Sequence, residues 1–389
     1  MIQLLAKIFL KKQESGSAKE REAYGVLCGL VGIGFNILLF AGKFIAGTIS
    51  QSIAITADAF NNLSDAASSL VTMLGFKLGG MKADSRHPFG HGRIEYVSGL
   101  IVAAIILMMA FELFQSSVQK IIHPEAVDFS GLTFVILIVS ILIKLYMAYY
   151  NRTIGNRIRS AAMKATSLDS LSDTVTTSVV LVSTLVCYFT GLRIDGWCGV
   201  AVSVFIFYAG INAARETLNP LLGQPPEPEF IEELESLVMA HENIMGLHDL
   251  VVHDYGPGRT MVSLHAEVPA EKGILELHDT IDNIEEEIRE KMKCEAVIHM
   301  DPIVTENLRI LELKNDVRKI LKNMDVQLSM HDFRVVEGTT HTNLIFDIVV
   351  PFKYKMSDRE VCQQISSSIK KKLGEQYNTV IKVDKPYTG

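Results

Sequence analysis

Apolar residues crowd the first 220 positions of the chain and thin out beyond them. A bilayer crossing needs roughly 20 mostly apolar residues in succession. Scanning on that length selects six stretches, at about 25–47, 53–78, 97–114, 132–150, 161–189 and 197–214. The second and fifth are the least apolar, and both contain aspartates. A lipid-facing helix has no use for them, so these two stretches carry the chemical question. Past the sixth stretch the pattern shortens to elements of a water-exposed α+β domain. A helix is predicted over 229–240, strands over 247–253 and 260–268, a polar helix over 275–293 and a strand over 296–300. Helices on one face of a small sheet suit that order, as in a ferredoxin-like domain.

The α+β pattern then returns. His248-Asp249-Leu250 is echoed by His331-Asp332-Phe333, and His299-Met300-Asp301-Pro302 by Lys382-Val383-Asp384-Lys385-Pro386, at an offset of about 83 residues. Leu264-His265-Ala266-Glu267-Val268-Pro269 is matched by Phe346-Asp347-Ile348-Val349-Val350-Pro351. A constant offset is the mark of a tandem copy. The domain organisation is therefore a cytoplasmic segment 1–21, a six-helix transmembrane domain 22–218, a Pro-rich linker 219–228, an α+β domain 229–302 and a second, degenerate α+β domain 306–389.

Charge separates these parts further. Lys and Arg concentrate before the first stretch (Lys7, Lys11, Lys12, Lys19, Arg21) and in two alternate loops (Lys82, Arg86, Arg93; Arg152, Arg157, Arg159). The other side offers Lys120 and Arg193. The positive-inside rule places both termini in the cytoplasm, in a multi-pass protein of the cell membrane. The N-terminal run before Lys11 is too short to span and reads as an interfacial helix. Residues 227–301 hold 19 acidic against 5 basic side chains, a net of −14, whereas 306–389 hold 11 against 14, a net of +3. An acidic lobe concentrates cations near itself. The basic copy is either a solvated surface or one that lies against acidic protein or anionic lipid. Five cysteines (Cys28, Cys187, Cys198, Cys294, Cys362) form no close-spaced pair and read as free thiols.

Asn61 and Asp65 are four residues apart in the second stretch, and Asp169 and Asp173 four apart in the fifth. Residues at that spacing share one helix face, so each helix can present two oxygen ligands to one ion. A carboxylate inside a bilayer is costly and faces a partner or a wet cavity. Three together repel one another unless a cation or protons neutralise them, which is the competition a metal–proton exchanger uses. Ser64, Ala66, Ala67, Ser68, Ser69, Ser170, Ser172, Thr174, Thr176 and Thr177 surround the pairs and suit close helix packing, but packing does not call for three acids. Asn62-Leu63-Ser64-Asp65 resembles Ser170-Leu171-Ser172-Asp173 on a helix of opposite direction, the pattern of an inverted repeat. Asp58 is placed on the approach to the site. Lys43, Glu112 and Lys144 are read as snorkelling toward span ends.

Two further groups carry metal-ligand chemistry. Asp84, His87 and His91 fall within eight residues of one loop. They are either a metal ligand set or part of a basic loop over the helix ends. The acidic lobe carries His248, His253, His265, His278, His299 and Asp301; four of the histidines, with Asp301, lie at or beside predicted strand ends, so the group either converges on an ion or stands as scattered surface histidines.

With these residues in view, the chain resembles the cation diffusion facilitators over about residues 22–302. The resemblance rests on the two four-spaced polar pairs, the Asp84/His87/His91 loop with Phe89-Gly90-His91-Gly92, the His248-Asp249-Leu250 strand and His299-Met300-Asp301-Pro302. It implies a homodimeric antiporter, not an enzyme, that exports a divalent metal against protons and has no nucleic-acid partner. Its transport site would be Asn61, Asp65, Asp169 and Asp173, and its loop site Asp84, His87 and His91. Its cytoplasmic site at the dimer interface would be His248, His265, His278, His299 and Asp301. His253 has no counterpart there. The family's zinc transporters commonly carry histidine where Asp169 stands and aspartate where Asn61 stands, and Gly223 replaces a family aspartate. In the second copy Lys382 replaces His299, so that copy is not expected to bind metal as the first does.

An all-oxygen set favours hard ions such as manganese over zinc, which prefers imidazole or thiolate. The set also resembles that of the family's manganese exporters. The reading is export of manganese(II), with zinc(II), iron(II) and cobalt(II) as competitors and no bound cofactor. The alternatives are a zinc or iron exporter of the same family, or a metal-sensing membrane scaffold that translocates nothing. No nucleophile–base pair or phosphate loop points to an enzyme.

Overall fold

The computed structural model describes residues 18–50, 53–123, 131–190 and 194–386. The expected interfacial helix before Lys11, Arg193, and the side chains of Asp58 and Cys187 lie outside the described residues. The chain divides into two compact units, Met1–Gln224 with Asp254–Arg259, and Pro225–His253 with Thr260–Gly389.

Among the described residues, six long helices fill the first unit: α1 Ala18–Ser50, α2 Ile53–Gly79, α3 Ile94–Ile122, α4 Gly131–Arg157, α5 Ala161–Thr190 and α6 Asp195–Leu222. Four of them contain segments long and apolar enough to cross a membrane, at Lys19–Ile45, Ile94–Ile122, Phe134–Arg157 and Gly196–Leu222. α2 and α5, which carry the four-spaced polar pairs, are not among these.

Helix α1 packs along α2, α3 along α6, and α4 along α5. Small residues set the first of these contacts. A methyl group on Gly29 would lie 2.6 Å from Met73 Cβ, so only glycine lets the two backbones come this close. α2 and α5 turn polar rather than apolar faces inward: Asn62, Asp65, Ser68, Ser69 and Thr72 on one, Thr166, Ser167, Asp169, Ser170 and Ser172 on the other, are all buried. Several of these hydroxyls have partners, whereas Ser68 Oγ and Ser172 Oγ have none. Thr72 and Thr166 share a 2.7 Å hydrogen bond between the two helices, and Ser167 donates to the Ala148 carbonyl of α4 at 2.8 Å. α6 ends on Gly223 in the left-handed region (φ 82°), a C-cap that glycine adopts without a Cβ penalty. That gives a conformational reason for a glycine at this position.

The second unit contains α7 Pro228–Met239, β1 Gly246–Asp254, β2 Thr260–Pro269, α8 Ile274–Met292 and β3 Glu295–Ile303, then α9 Leu308–Met324, β4 Ser329–Glu337, β5 Thr342–Val349, α10 Asp358–Leu373 and β6 Tyr377–Asp384. Each half of the unit has its own sheet, ordered β1-β2-β3 and β4-β5-β6, and in each the last two strands run parallel. Each also has its own apolar core. Val262, Leu264, Ala266 and Val268 alternate inward from β2 onto Leu277, Ile281, Ile284 and Ile288 of α8. Leu344, Phe346 and Ile348 of β5 do the same against Val361, Ile365 and Ile369 of α10. This is the period-2 burial of a sheet with one covered face.

A finer correspondence lies in the first strand of each lobe. Asp249 and Asp332, at matching positions of the echoed His-Asp motif, both adopt φ 51°. Left-handed backbone is uncommon for a residue other than glycine, and aspartate is among the few that tolerate it. In β4 the ladder register shifts between His331 and Arg334, as at a β-bulge.

Candidate metal sites

The four-spaced pairs line one cavity of about 250 Å³ inside the helical unit. α2 contributes Asn61, Asn62 and Asp65, and α5 contributes Asp169, Ser172, Asp173, Thr176 and Thr177. Asp65 and Asp169 are buried, Asp173 is partly buried and Asn61 is the exposed member. The cavity wall also includes Lys43 of α1, Glu112 of α3 and Lys144 of α4.

Lys144 departs from the sequence-based expectation. It does not snorkel. It is 4 % exposed, and its ammonium donates to Asp65 Oδ2 at 2.6 Å and to Asp173 Oδ2 at 2.7 Å. One cation thus bridges a carboxylate from each of the two polar helices. Lys43 is corrected likewise, being buried against the same cavity rather than reaching to an interface. The physical reason is position. The apolar stretch in the sequence closes at Tyr150, but α4 continues to Arg157, which sets Lys144 at mid-helix, far from either helix end.

In the Asp84 loop the structure brings the three sequence-selected side chains together. His87 Nδ1 lies 3.4 Å from Asp84 Oδ1, and His91 Nε2 lies 3.6 Å from Asp84 Oδ2. The backbone N–H groups of Arg86 and His87 donate to Asp84 Oδ1 at 2.8 and 2.7 Å, which fixes the carboxylate. The backbone donation from His87, then that from Arg86, holds the Asp84 carboxyl below its ordinary range and keeps it ionised.

The first cytoplasmic lobe gathers three histidines on Asp301. Its Oδ2 lies 3.0 Å from His248 Nε2 and 2.8 Å from His265 Nδ1, and its Oδ1 lies 3.4 Å from His299 Nε2. β1, β2 and β3 supply one histidine each, and His265 and His299 face each other in the parallel register. Burial, and next the neighbouring His331, push the His248 imidazole below its ordinary value. It therefore stays neutral near pH 7, the form that ligates metal. His278 does not join this group. It sits exposed on α8, 3.3 Å from Asp282. His253 is exposed as well.

A third group was not selected from the sequence as a ligand set. Asp249, His331 and Asp384 come together from β1, β4 and β6, so the group draws on both lobes.

Comparison with known proteins agrees with this layout. Residues 29–222 match the cation efflux transmembrane domain, and residues 226–303 match the cytoplasmic domain of cation efflux proteins. The chain belongs to the cation efflux, or cation diffusion facilitator, family. An uncharacterized transporter of Methanocaldococcus jannaschii is 28% identical over 267 residues, covering 68% of this chain and 94% of that protein. The cation-efflux pump FieF of Klebsiella pneumoniae is 25% identical over 285 residues, covering 72% and 95%. FieF of Escherichia coli is 25% identical over 266 residues, covering 68% and 88%. Both family matches end before residue 304, so the second lobe lies outside them.

As a cation efflux protein, this chain is a multi-pass membrane transporter. Helical spacing and the cost of charge in an apolar stretch singled out the two polar pairs. Sequence reasoning missed Lys144 as their partner and the Asp249/His331/Asp384 group. The one available signal for Lys144 was its distance from any charged span end. The His-Asp echo marked His331, but nothing in the linear order shows that β4 of one lobe comes beside β1 of the other.

Proposed function

We propose that this protein exports a divalent cation, with manganese(II) as its preferred cargo, out of the cytoplasm in exchange for protons, and that it works as a homodimer with all six long helices crossing the membrane. The observation that carries the reading is the cavity in which α2 and α5 each place a four-spaced polar pair beside a buried ammonium. The oxygen-only ligand set, Asn61, Asp65, Asp169 and Asp173, suits a hard ion that accepts carboxylate, amide and water oxygens.

Lys144 supplies a physical account of loading and release. The Lys144 ammonium bridges Asp65 and Asp173 and offsets one of their two negative charges. An incoming cation must take the place of that ammonium between the two carboxylates. When the cargo leaves, protons and the returning ammonium restore charge balance. The lysine is therefore a built-in competitor that keeps affinity moderate and release fast. The loop group and the His248/His265/His299/Asp301 group are read as further cation sites facing the cytoplasm. The exposed His278 would complete the latter across a dimer interface. The shared strand order and the matching φ at Asp249 and Asp332 support reading residues 306–389 as a second copy of the cytoplasmic domain.

The test is manganese flux in proteoliposomes carrying the wild type, Asp65→Ala or Asp173→Ala under an imposed pH gradient. Flux by the wild type and none by either variant is the expected outcome. Full flux by both variants contradicts the site assignment. Binding without any flux in the wild type favours the metal-sensing scaffold.

A further inference from the structure

We propose that Asp249, His331 and Asp384 form a divalent-cation site that ties the two cytoplasmic lobes together, next to the His248/His265/His299/Asp301 group, whose His248 and His265 also lie close to Asp249. The donor atoms of the three residues lie within 4.8 Å of one another. His331 is only 7 % exposed, and neither of its ring nitrogens has a hydrogen-bond partner. A buried imidazole with both nitrogens unsatisfied needs an explanation. The carboxylates are not that explanation, because His331 Nε2 lies 3.7 Å from Asp249 Oδ1 and 3.6 Å from Asp384 Oδ2, too far for a hydrogen bond to either.

Those separations fit donors that share an ion. Ligands at about 2.0–2.2 Å from a tetrahedral metal stand roughly 3.3–3.6 Å from each other. One imidazole and two carboxylates form a mixed nitrogen–oxygen set, which suits a first-row transition cation such as zinc(II), iron(II) or manganese(II) rather than calcium or magnesium. Three strands hold the donors, so the spacing does not depend on a flexible loop.

Two neighbours define the setting. His248 stacks on His331 with ring centroids 4.4 Å apart, which places the two groups side by side. Lys382 Nζ lies 3.2 Å from Asp384 Oδ1 and 3.3 Å from Asp347 Oδ2. The same ammonium lies 3.3 Å from Asp384 Oδ2, the oxygen nearest His331, so an ion entering the group meets Lys382 on that carboxylate. Lys382 then acts on this site as a competing cation. The outcome is a role for the second lobe that its lysine seemed to deny: it completes a site with a residue of the first lobe.

The test counts zinc ions bound per protomer in the full-length protein purified in detergent, by elemental analysis after removal of free metal. His331→Ala and Asp384→Asn should each lose one ion relative to the wild type, and Lys382→Ala should lose none. His299→Ala should lose a different ion, so the Asp384→Asn/His299→Ala pair should lose two. Asp384 lies on β6, and its ion pairs run to His331 and Lys382, so its variant probes this group from the second lobe. Unchanged counts in both His331→Ala and Asp384→Asn, or a double variant that loses no more than His299→Ala alone, overturn the proposal. The count is independent of flux, so absence of transport would leave it standing, and its failure would leave the transport reading standing.

Discussion

Replacing Lys144 with methionine keeps most of its length and volume while removing the charge. In the present arrangement that leaves Asp65 and Asp173 facing each other in a buried cavity without the ammonium that bridges them at 2.6 and 2.7 Å. Breaking a buried ion pair by deleting one member costs about 3–5 kcal/mol. The metal-free variant should therefore melt well below the wild type. Manganese should behave in the opposite sense. In the wild type an incoming cation must first displace the ammonium. A unit charge about 4 Å away contributes about 4 kcal/mol at an effective dielectric of 20. If only about half of that opposes loading, its removal tightens binding by roughly 2 kcal/mol, or more than tenfold. The variant should bind manganese more tightly, recover its melting temperature when manganese is saturating, and turn over more slowly because release is no longer assisted. Calorimetric titration and thermal melts with and without manganese, in detergent, measure affinity and stability, and proteoliposome flux measures turnover. Wild-type affinity together with wild-type metal-free stability in Lys144→Met would refute the reasoning.

Selectivity should follow the donor set. Asn61→Asp and Asp169→His, singly or together, should shift metal competition in flux assays toward zinc, and an unchanged manganese-to-zinc ratio in both would remove the oxygen-set argument. Gly29→Leu should separate α1 from α2 and lower expression or stability, because its Cβ would already lie 2.6 Å from Met73 Cβ; wild-type melting would show that the contact is not tight. Ile365→Ala, in the core of the second lobe, should cost about 2–5 kcal/mol there, and hydrogen exchange should show the loss in α10 and β4–β6 while the first lobe keeps its protection, since the two cores are separate.

Much of this organisation was legible in the chain itself. Apolar content over a span's length located the six long helices. Alternation located the strands, and the echoed His-Asp motif located the second lobe. The acidic pairs stood out because charge inside an apolar stretch has a high cost and therefore a purpose. What was not legible depended on tertiary approach. Lys144 looked like a snorkelling residue because the apolar stretch in the sequence closes at Tyr150. The helix runs to Arg157, and Lys144 lies at its middle, far from either end. His331 looked like the remnant of a degenerate copy because its own lobe replaces a histidine with Lys382. Its partner Asp249 belongs to the other lobe, a pairing that no local pattern encodes. His278 fitted the family's ligand pattern, yet within one chain α8 holds it exposed and paired with Asp282.

The most direct measurement of the central claim is manganese uptake into or release from proteoliposomes containing the wild type, driven by a pH gradient and repeated with zinc and iron(II) as competitors. The account expects manganese movement coupled to counter-movement of protons, stronger for manganese than for zinc, and abolished when Asp65 and Asp173 are both replaced by alanine. Manganese flux that ignores the pH gradient, or that survives the loss of both carboxylates, would contradict it.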